Sequence, residues 1–380
     1  MEKIYTALGL MSGTSMDGVD ASIIQSNGEE QYDELFSRYF EYNSDIYQNL
    51  LNLRDKITKN RKPNYNNALL ESLSKEFNDI EKKITLFHAD VANKVLKEAG
   101  LSVDLIGFHG QTIFHNPQEN NPQENKSIQL GDGKLLSQHT KKTVVYDFRQ
   151  NDLKNGGEGA PLTPIFHQML EKKFNIKPVS FINIGGILNR TTIWNDGELS
   201  AKDMGPGMCL IDKWIRINSK KKYDVNGDIA KSGKINNIIL DQALVNLSAT
   251  DSNRLSYDIS EFDFLFASVR DLSLEDGVAT LTEYTAQMIL LDFKFIEELN
   301  IKKKIILCGG GRKNKFLVKK LKKNSKRIQL IDEYGVGGDF VEAQAFAYLA
   351  IRSYLNLPIS FPETTGVREP CNGGTIVKNF

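Results

Sequence analysis

Three glycine-rich stretches, each directly after an apolar strand-like run, constrain this 380-residue chain more than any other feature. They are "GLMSGTSMDG" (9–18), "NIGGILN" (183–189) and "CGGGRKN" (308–314). Glycine lacks a Cβ, so backbone N–H groups in such turns can approach a ligand closely. One turn of this kind is ordinarily a hairpin device. Three in this order, one per expected position around a cleft, point to nucleotide binding. The first offers Ser12, Gly13, Thr14, Ser15 and Gly18 as donors, plus Asp17, which can hold Mg²⁺ directly or through water. The second contributes Gly185, Gly186 and Asn189. In the third, Gly309, Gly310, Gly311 and Asn314 make a flat floor suited to an adenine ring. "DMGPG" (203–207) adds Asp203, Gly205 and Gly207 for phosphates or metal, or is only a tight turn forced by Pro206. The Walker pattern is absent, and no G-x-G-x-x-G stands between a strand and a helix. That excludes a P-loop and a dinucleotide fold.

Around these turns the chain reads as α/β, written twice. "KIYTALGLM", "VDASIIQ" and "LFSRYFEY" predict hairpin strands, and helical spacing runs over 67–100. "VDLIGFHG" (103–110) predicts a buried strand running into a loop, and "TVVYDF" (143–148) another strand. The second series begins with an amphipathic helix over 162–174, then strands at 178–185, 186–194 and 199–205. Ser273 caps a long helix with Leu281, Tyr284, Met288, Leu291 and Phe295 on one face. A strand at 303–311 and a helix at 338–355 complete it. The doubled "NPQEN" (116–125) reads as a polar surface loop.

"DFRQNDLKNGGEGAPL" (147–162) is the second stretch rich in chemistry. Its glycines let the backbone pass close to a substrate, and its carboxylates are the most plausible general bases of the chain. Asp152 is placed in the turn after the strand; Asp147 stands at that strand's end, where its alternative role is to anchor Arg149. "GFHGQTIFH" brings His109 and Gln111 to a strand end, where ligands bind in α/β sheets. Arg149 suits a carboxylate because its guanidinium is planar, and Glu342 is a candidate for contact with a sugar.

Composition removes other classes. With 48 basic and 48 acidic residues there is no overall field for nucleic acid or a membrane surface. The basic runs at 220–222 and 319–327 read as solvated faces. No signal peptide and no spanning segment is evident. Cys209, Cys308 and Cys371 are scattered and odd in number, which argues against a zinc site or disulfide framework and for a reducing, cytoplasmic setting.

The three turns in two α/β halves resemble the actin, sugar kinase and heat-shock chaperone ATPase superfamily. Within it the chain is similar to the anhydro-N-acetylmuramic acid kinase family. The similarity is carried by "GLMSGTSMDGVDA", "GFHGQTIFH", "QLGDG", "VVYDFRQNDLKNGGEGAPLTPIFH", "NIGGILN", "DMGPGMCLID", "DGVATLTEYTAQMI", "CGGGRKN" and "TTGV", from residue 8 to about 367. The resemblance implies two actin-like (ribonuclease H-like) domains flanking a nucleotide and substrate cleft. The division expected is 1–150 with the tail 357–380, and 151–356. It implies ATP and Mg²⁺ as cofactors, with Asp17 and Asp203 for the metal, an amino sugar as substrate, and a cytoplasmic homodimer. The acid of the F-R-x-x-D motif, here Asp152, would activate water to open the anhydro bridge, and the freed O6 would take the γ-phosphoryl group. His109, Gln111, Arg149 and Glu342 would contact the sugar. Another superfamily kinase, acting on a different sugar or a carboxylate, is the alternative. An ATP-regulated binding or filament protein would leave "DFRQNDLKNGGEGAPL" without a role.

Overall fold

Nearly every residue of Tyr5–Ser12 is buried, the pattern of a strand covered on both faces. This is β1, and across the opening glycine turn it pairs antiparallel with β2 (Gly18–Ser26). The computed structural model describes residues 3–59, 74–116, 126–248, 255–257, 259–298 and 303–380. The first sheet continues with β3 (Tyr32–Glu41), β4 (Leu105–Asn116), β5 (Lys126–Leu130) and β6 (Thr143–Tyr146). The second holds β7 (Val179–Ile184), β8 (Ile187–Ile193), β9 (Leu199–Pro206), β10 (Lys304–Cys308) and β11 (Ile328–Leu330). The last strand, β12 (Thr375–Val377), returns to the first sheet beside β6.

The two sheets repeat one plan. In the first, β1, β2 and β3 form an antiparallel meander while β4 and β6 run parallel to β1 on its other side. In the second, β7, β8 and β9 form the meander, and β10 and β11 run parallel to β7. The α/β class read from the sequence is therefore borne out, once in each sheet. Contacts divide the chain into one unit of Met1–Lys173 with Phe340–Phe380 and a second of Phe174–Asp339.

Helix Val341–Tyr354, which the sequence reading grouped with the second half, packs on β1, β2 and β4. The reason is a pair of glycines. Gly9 and Gly107 face each other across the parallel β1–β4 pair. A Cβ on Gly9 would lie 1.8 Å from the Ala343 carbonyl oxygen, and one on Gly107 2.2 Å from that of Phe346. Only bare backbone lets the helix sit this close.

Most expected elements form. The described part of the helix read at 67–100 is Ser74–Ala99, with 67–73 and the repeat residues 117–125 outside the described segments. Ser273 does cap helix Leu274–Glu298, accepting from the Asp276 N–H at 3.1 Å. Three expectations change. Strand β4 runs on through Asn116 instead of ending in a loop at Gly110, because β5 pairs with its second half. Leu291 is 46% exposed, so the buried face of that helix carries Leu281, Tyr284 and Met288 without it. Helix Ser44–Lys59, unforeseen, seals the first core with Leu50, Leu53 and Ile57.

Candidate active site

The opening turn is built from below. Ser12 is 1% exposed; its hydroxyl lies 2.7 Å from the Gly18 carbonyl, 2.9 Å from Gln111 Oε1 and 2.8 Å from the Tyr42 hydroxyl. Gln111, fully buried, uses its amide to donate to the Gly13 carbonyl at 2.9 Å. Ser12 and Gln111 thus shape the loop, and Gly13, Thr14, Ser15 and Asp17 are left on its outer side. Ser15 donates to the Asp17 carboxylate, which is exposed. Met16, buried beneath, takes φ 58°, strain of the kind held only where surrounding structure enforces it.

Asp152 lies in a short helix, Gln150–Lys154, not in an open turn. It is 1% exposed. Oδ1 accepts from the Gly159 N–H at 2.7 Å and Oδ2 accepts from the Thr365 hydroxyl. Burial pushes its carboxyl above the usual range, against hydrogen bonds from Thr365, Ser360 and Gly159 and the charge of Arg149. Gly157 has no room for a side chain, since a Cβ there would stand 2.1 Å from Asp152 Oδ1.

Gly159 serves two masters. Its carbonyl accepts from Arg149 Nη1 at 2.6 Å while its N–H holds Asp152. Arg149 Nη2 in turn lies 2.9 Å from His109 Nε2, and His109 Nδ1 lies 2.8 Å from the Gly110 carbonyl. A carbonyl only accepts and a guanidinium only donates, so His109 carries its proton on Nδ1. Burial and the neighbouring Arg149 depress its pKa well below the ordinary value, and it stays neutral. His109, Arg149, Gly159, Asp152 and Thr365 therefore form one connected chain of polar contacts.

Beside it is a cavity of about 150 Å³ lined by His109, Gly110, Gln129, Gly131, Tyr146 and Asp147, among others. This is below the roughly 300 Å³ at which ligand pockets usually begin, so it suits one substituent rather than a whole sugar. Asp147 sits at its wall with φ 59°, and burial raises its pKa against the pull of Lys154. Glu342 is half-buried in the first turn of helix Val341–Tyr354.

In the second unit the glycine turns converge. Gly185 and Gly186 make the two-residue turn between β7 and β8, and their carbonyls accept from the N–H groups of Met208 and Gly207 at 2.8 and 3.0 Å. Gly205, at φ 142°, and Gly207 lead into helix Cys209–Asn218, whose N-terminus has no side-chain cap. Gly309 and Gly311 press against Ile184, where a Cβ would come within 2.9 and 2.2 Å, while Gly310 has open space. Asn189 and Asp203 stand opposite each other on β8 and β9, and Asp203 Oδ2 accepts from the Tyr257 N–H at 2.8 Å. Asn314 caps helix Lys315–Asn324 by accepting from Leu317 N–H at 3.0 Å; its buried Nδ2 has no hydrogen-bond partner among the described residues.

Among the described residues no three His, Cys, Asp or Glu side chains gather as a metal cage. Exposed Asp17, which accepts from Ser15, and half-buried Asp203, which accepts from the Tyr257 N–H, are single carboxylates, a donor type that Mg²⁺ takes alongside phosphates and water.

Sequence reasoning missed Thr365 and Ser360, which hold Asp152 from 213 and 208 residues away. It also missed Arg312, 7% exposed, which grips Asp332 through two nitrogens and Asp339 through a third, all at 2.7 Å. That fork fixes the turn bearing Gly309–Gly311. The three glycines flagged the turn, but nothing local marks the distant acids.

A family model described as anhydro-N-acetylmuramic acid kinase matches residues 5–379. A protein of that name from Pelagibacter ubique is 50% identical over 389 aligned residues, covering 100% of both chains. Namesakes from Agrobacterium fabrum and Zymomonas mobilis are 37% and 38% identical, covering 100% and 97% of this chain and 100% and 99% of theirs. The site geometry and these matches agree: the chain belongs to the anhydro-N-acetylmuramic acid kinase family.

Proposed function

We infer that the chain is an ATP-dependent kinase that opens the anhydro ring of 1,6-anhydro-N-acetylmuramic acid with water and phosphorylates O6. The products are N-acetylmuramic acid 6-phosphate and ADP, a step of cell-wall recycling. The observation that carries this reading is the family match through residues 5–379.

Asp152 is assigned as the base. Water attacks the anomeric carbon as a water proton passes to the Asp152 carboxylate. The bond from that carbon to O6 breaks, and its electron pair goes to O6. O6 attacks the γ-phosphorus, whose bond to the ADP oxygen breaks. Burial supports the role, because a raised pKa makes a stronger base near neutral pH. Arg149 and the Gly159 N–H limit that rise, so the carboxylate stays available. His109 and Gln111 act chiefly as supports, for Arg149 and for the opening turn. Arg149 and Glu342 are the candidates for the sugar's lactyl and hydroxyl groups, with the cavity beside His109 taking a substituent.

For the nucleotide we assign Gly13, Thr14, Ser15 and Gly18, with Ser12 shaping the loop, and Gly185, Gly186, Asn189, Gly205, Gly207, Gly309, Gly310, Gly311 and Asn314. Asp17 and Asp203 are the carboxylates that would steady Mg²⁺, which offsets phosphate charge when bound. We read the protein as a cytoplasmic homodimer. No described helix is long and apolar enough to cross a membrane.

Asp152→Asn tests the assignment. Turnover is expected to fall by at least roughly a hundredfold, with ATP affinity by calorimetry unchanged. Equal loss of both would make Asp152 a structural residue.

A further inference from the structure

The C-terminal segment carries a role that the reaction as described does not use. Ser360 and Thr365 are fully buried; the Thr365 hydroxyl donates to Asp152 Oδ2, and the Ser360 hydroxyl helps hold the Asp152 pKa down. The segment is braced on the catalytic loop, since the Glu158 N–H donates to the Thr365 carbonyl at 2.7 Å. It is closed on itself as well: Ser360 bridges Cys371, with the two side chains 3.1 Å apart. Thr365 also has a second acceptor within reach, the Phe361 carbonyl at 3.4 Å.

We propose that Thr365 is a positioning residue for Asp152, holding the Oδ2 side of its carboxylate in both protonation states. This rests on the reading of Asp152 as the base. A threonine hydroxyl has one hydrogen and two lone pairs. While Asp152 is ionised, that hydrogen points at Oδ2. Once the carboxyl has taken the water proton, the hydroxyl turns its hydrogen to the Phe361 carbonyl and accepts from Oδ2–H. No proton leaves Asp152 in this exchange; the partner reverses its role and the carboxyl keeps its rotamer. Of the other groups facing Asp152, the Gly159 N–H and Arg149 can only donate, while the Ser360 hydroxyl, which also contacts Cys371, can reverse its role as Thr365 does. Arg149 stays charged, and the Cys371 thiol, pushed up by burial, stays neutral.

The test uses the full-length protein, with kcat/KM for the anhydro sugar followed across the acid limb of the pH profile. Thr365→Val removes a donor to the ionised carboxylate, so the limb is expected to move up by about one pH unit. Thr365→Ser keeps the hydroxyl and should leave the limb in place. If the valine variant does not fold, Thr365→Ala, which only removes atoms, carries the same expectation. A folded variant that is slower at every pH with an unmoved limb overturns the proposal, because it shows a merely structural threonine. Asp152→Asn separates the two levels. If it is inactive, an unmoved limb counts against Thr365 alone; if it keeps turnover, the base reading itself falls and the positioning role falls with it.

Discussion

Single residues in this protein are governed by burial as much as by charge. His88 sits in the first core between Tyr42 and Phe108, and burial pushes its pKa down to about 4. His167 is pushed down to about 3 by the same cause. In the unfolded chain both titrate near 6.5. Between about pH 6.5 and 4 the unfolded state therefore binds protons that the folded state refuses, so stability falls as pH drops through that window. Each such histidine contributes up to about 1.4 kcal/mol per pH unit. Asp147 and Asp152, raised by burial, work in the opposite direction and soften the slope. Urea midpoints should decline from neutral pH toward pH 5, and His88→Leu should flatten the decline; equal slopes in both proteins would refute the assignment. The sequence makes Asp152 visible through its glycine-rich neighbourhood, but not its partners. Thr365 is 213 residues away and looks like any threonine before a glycine. In sequence Ser12 reads as a hydroxyl donor of the opening turn and Gln111 as a ligand contact at a strand end; only the fold shows their polar atoms turned inward onto one another.

At the level of elements, periodicity was a good guide to strands and helices and a poor one to their allegiance. The hairpins on either side of the first two glycine turns formed where turn chemistry placed them. Helix Val341–Tyr354 was recognisable as a helix, yet its apolar residues are too numerous to favour one face. What decides its seat is the bare backbone of Gly9 and Gly107 on adjacent strands, and that pairing depends on a parallel register no local pattern reveals. Gly107→Ala is expected to lower stability by about 3 kcal/mol or more, since the new Cβ meets backbone and not a flexible side chain. Gly13→Ala, whose nearest neighbour would be the Ser15 hydroxyl at 3.9 Å, should leave the melting temperature nearly unchanged. Comparable losses in the two variants would show that the helix does not rest on Gly107. Strand β12 escaped notice because three residues, "TIV", are too short a run to carry a pattern.

The whole molecule is one α/β plan used in two units, and the balanced charge of the chain fits a small-molecule enzyme. The repetition could be read in advance because each series begins with a strand and a glycine turn. The division between units could not, because the chain enters the second unit near Phe174 and leaves it near Asp339, mid-way along otherwise continuous α/β pattern. Family membership supplies the substrate, and in the mechanism we propose the buried Asp152 carboxylate activates the water while O6 takes the phosphoryl group. The central claim is that one carboxylate-activated water opens the ring while O6 takes the phosphoryl group. Turnover in ¹⁸O-labelled water, followed by mass spectrometry of the sugar phosphate, tests it most directly. The account predicts one labelled oxygen on the anomeric carbon and none on the phosphate. Label in the phosphate, or ADP formed without any sugar phosphate, would contradict it.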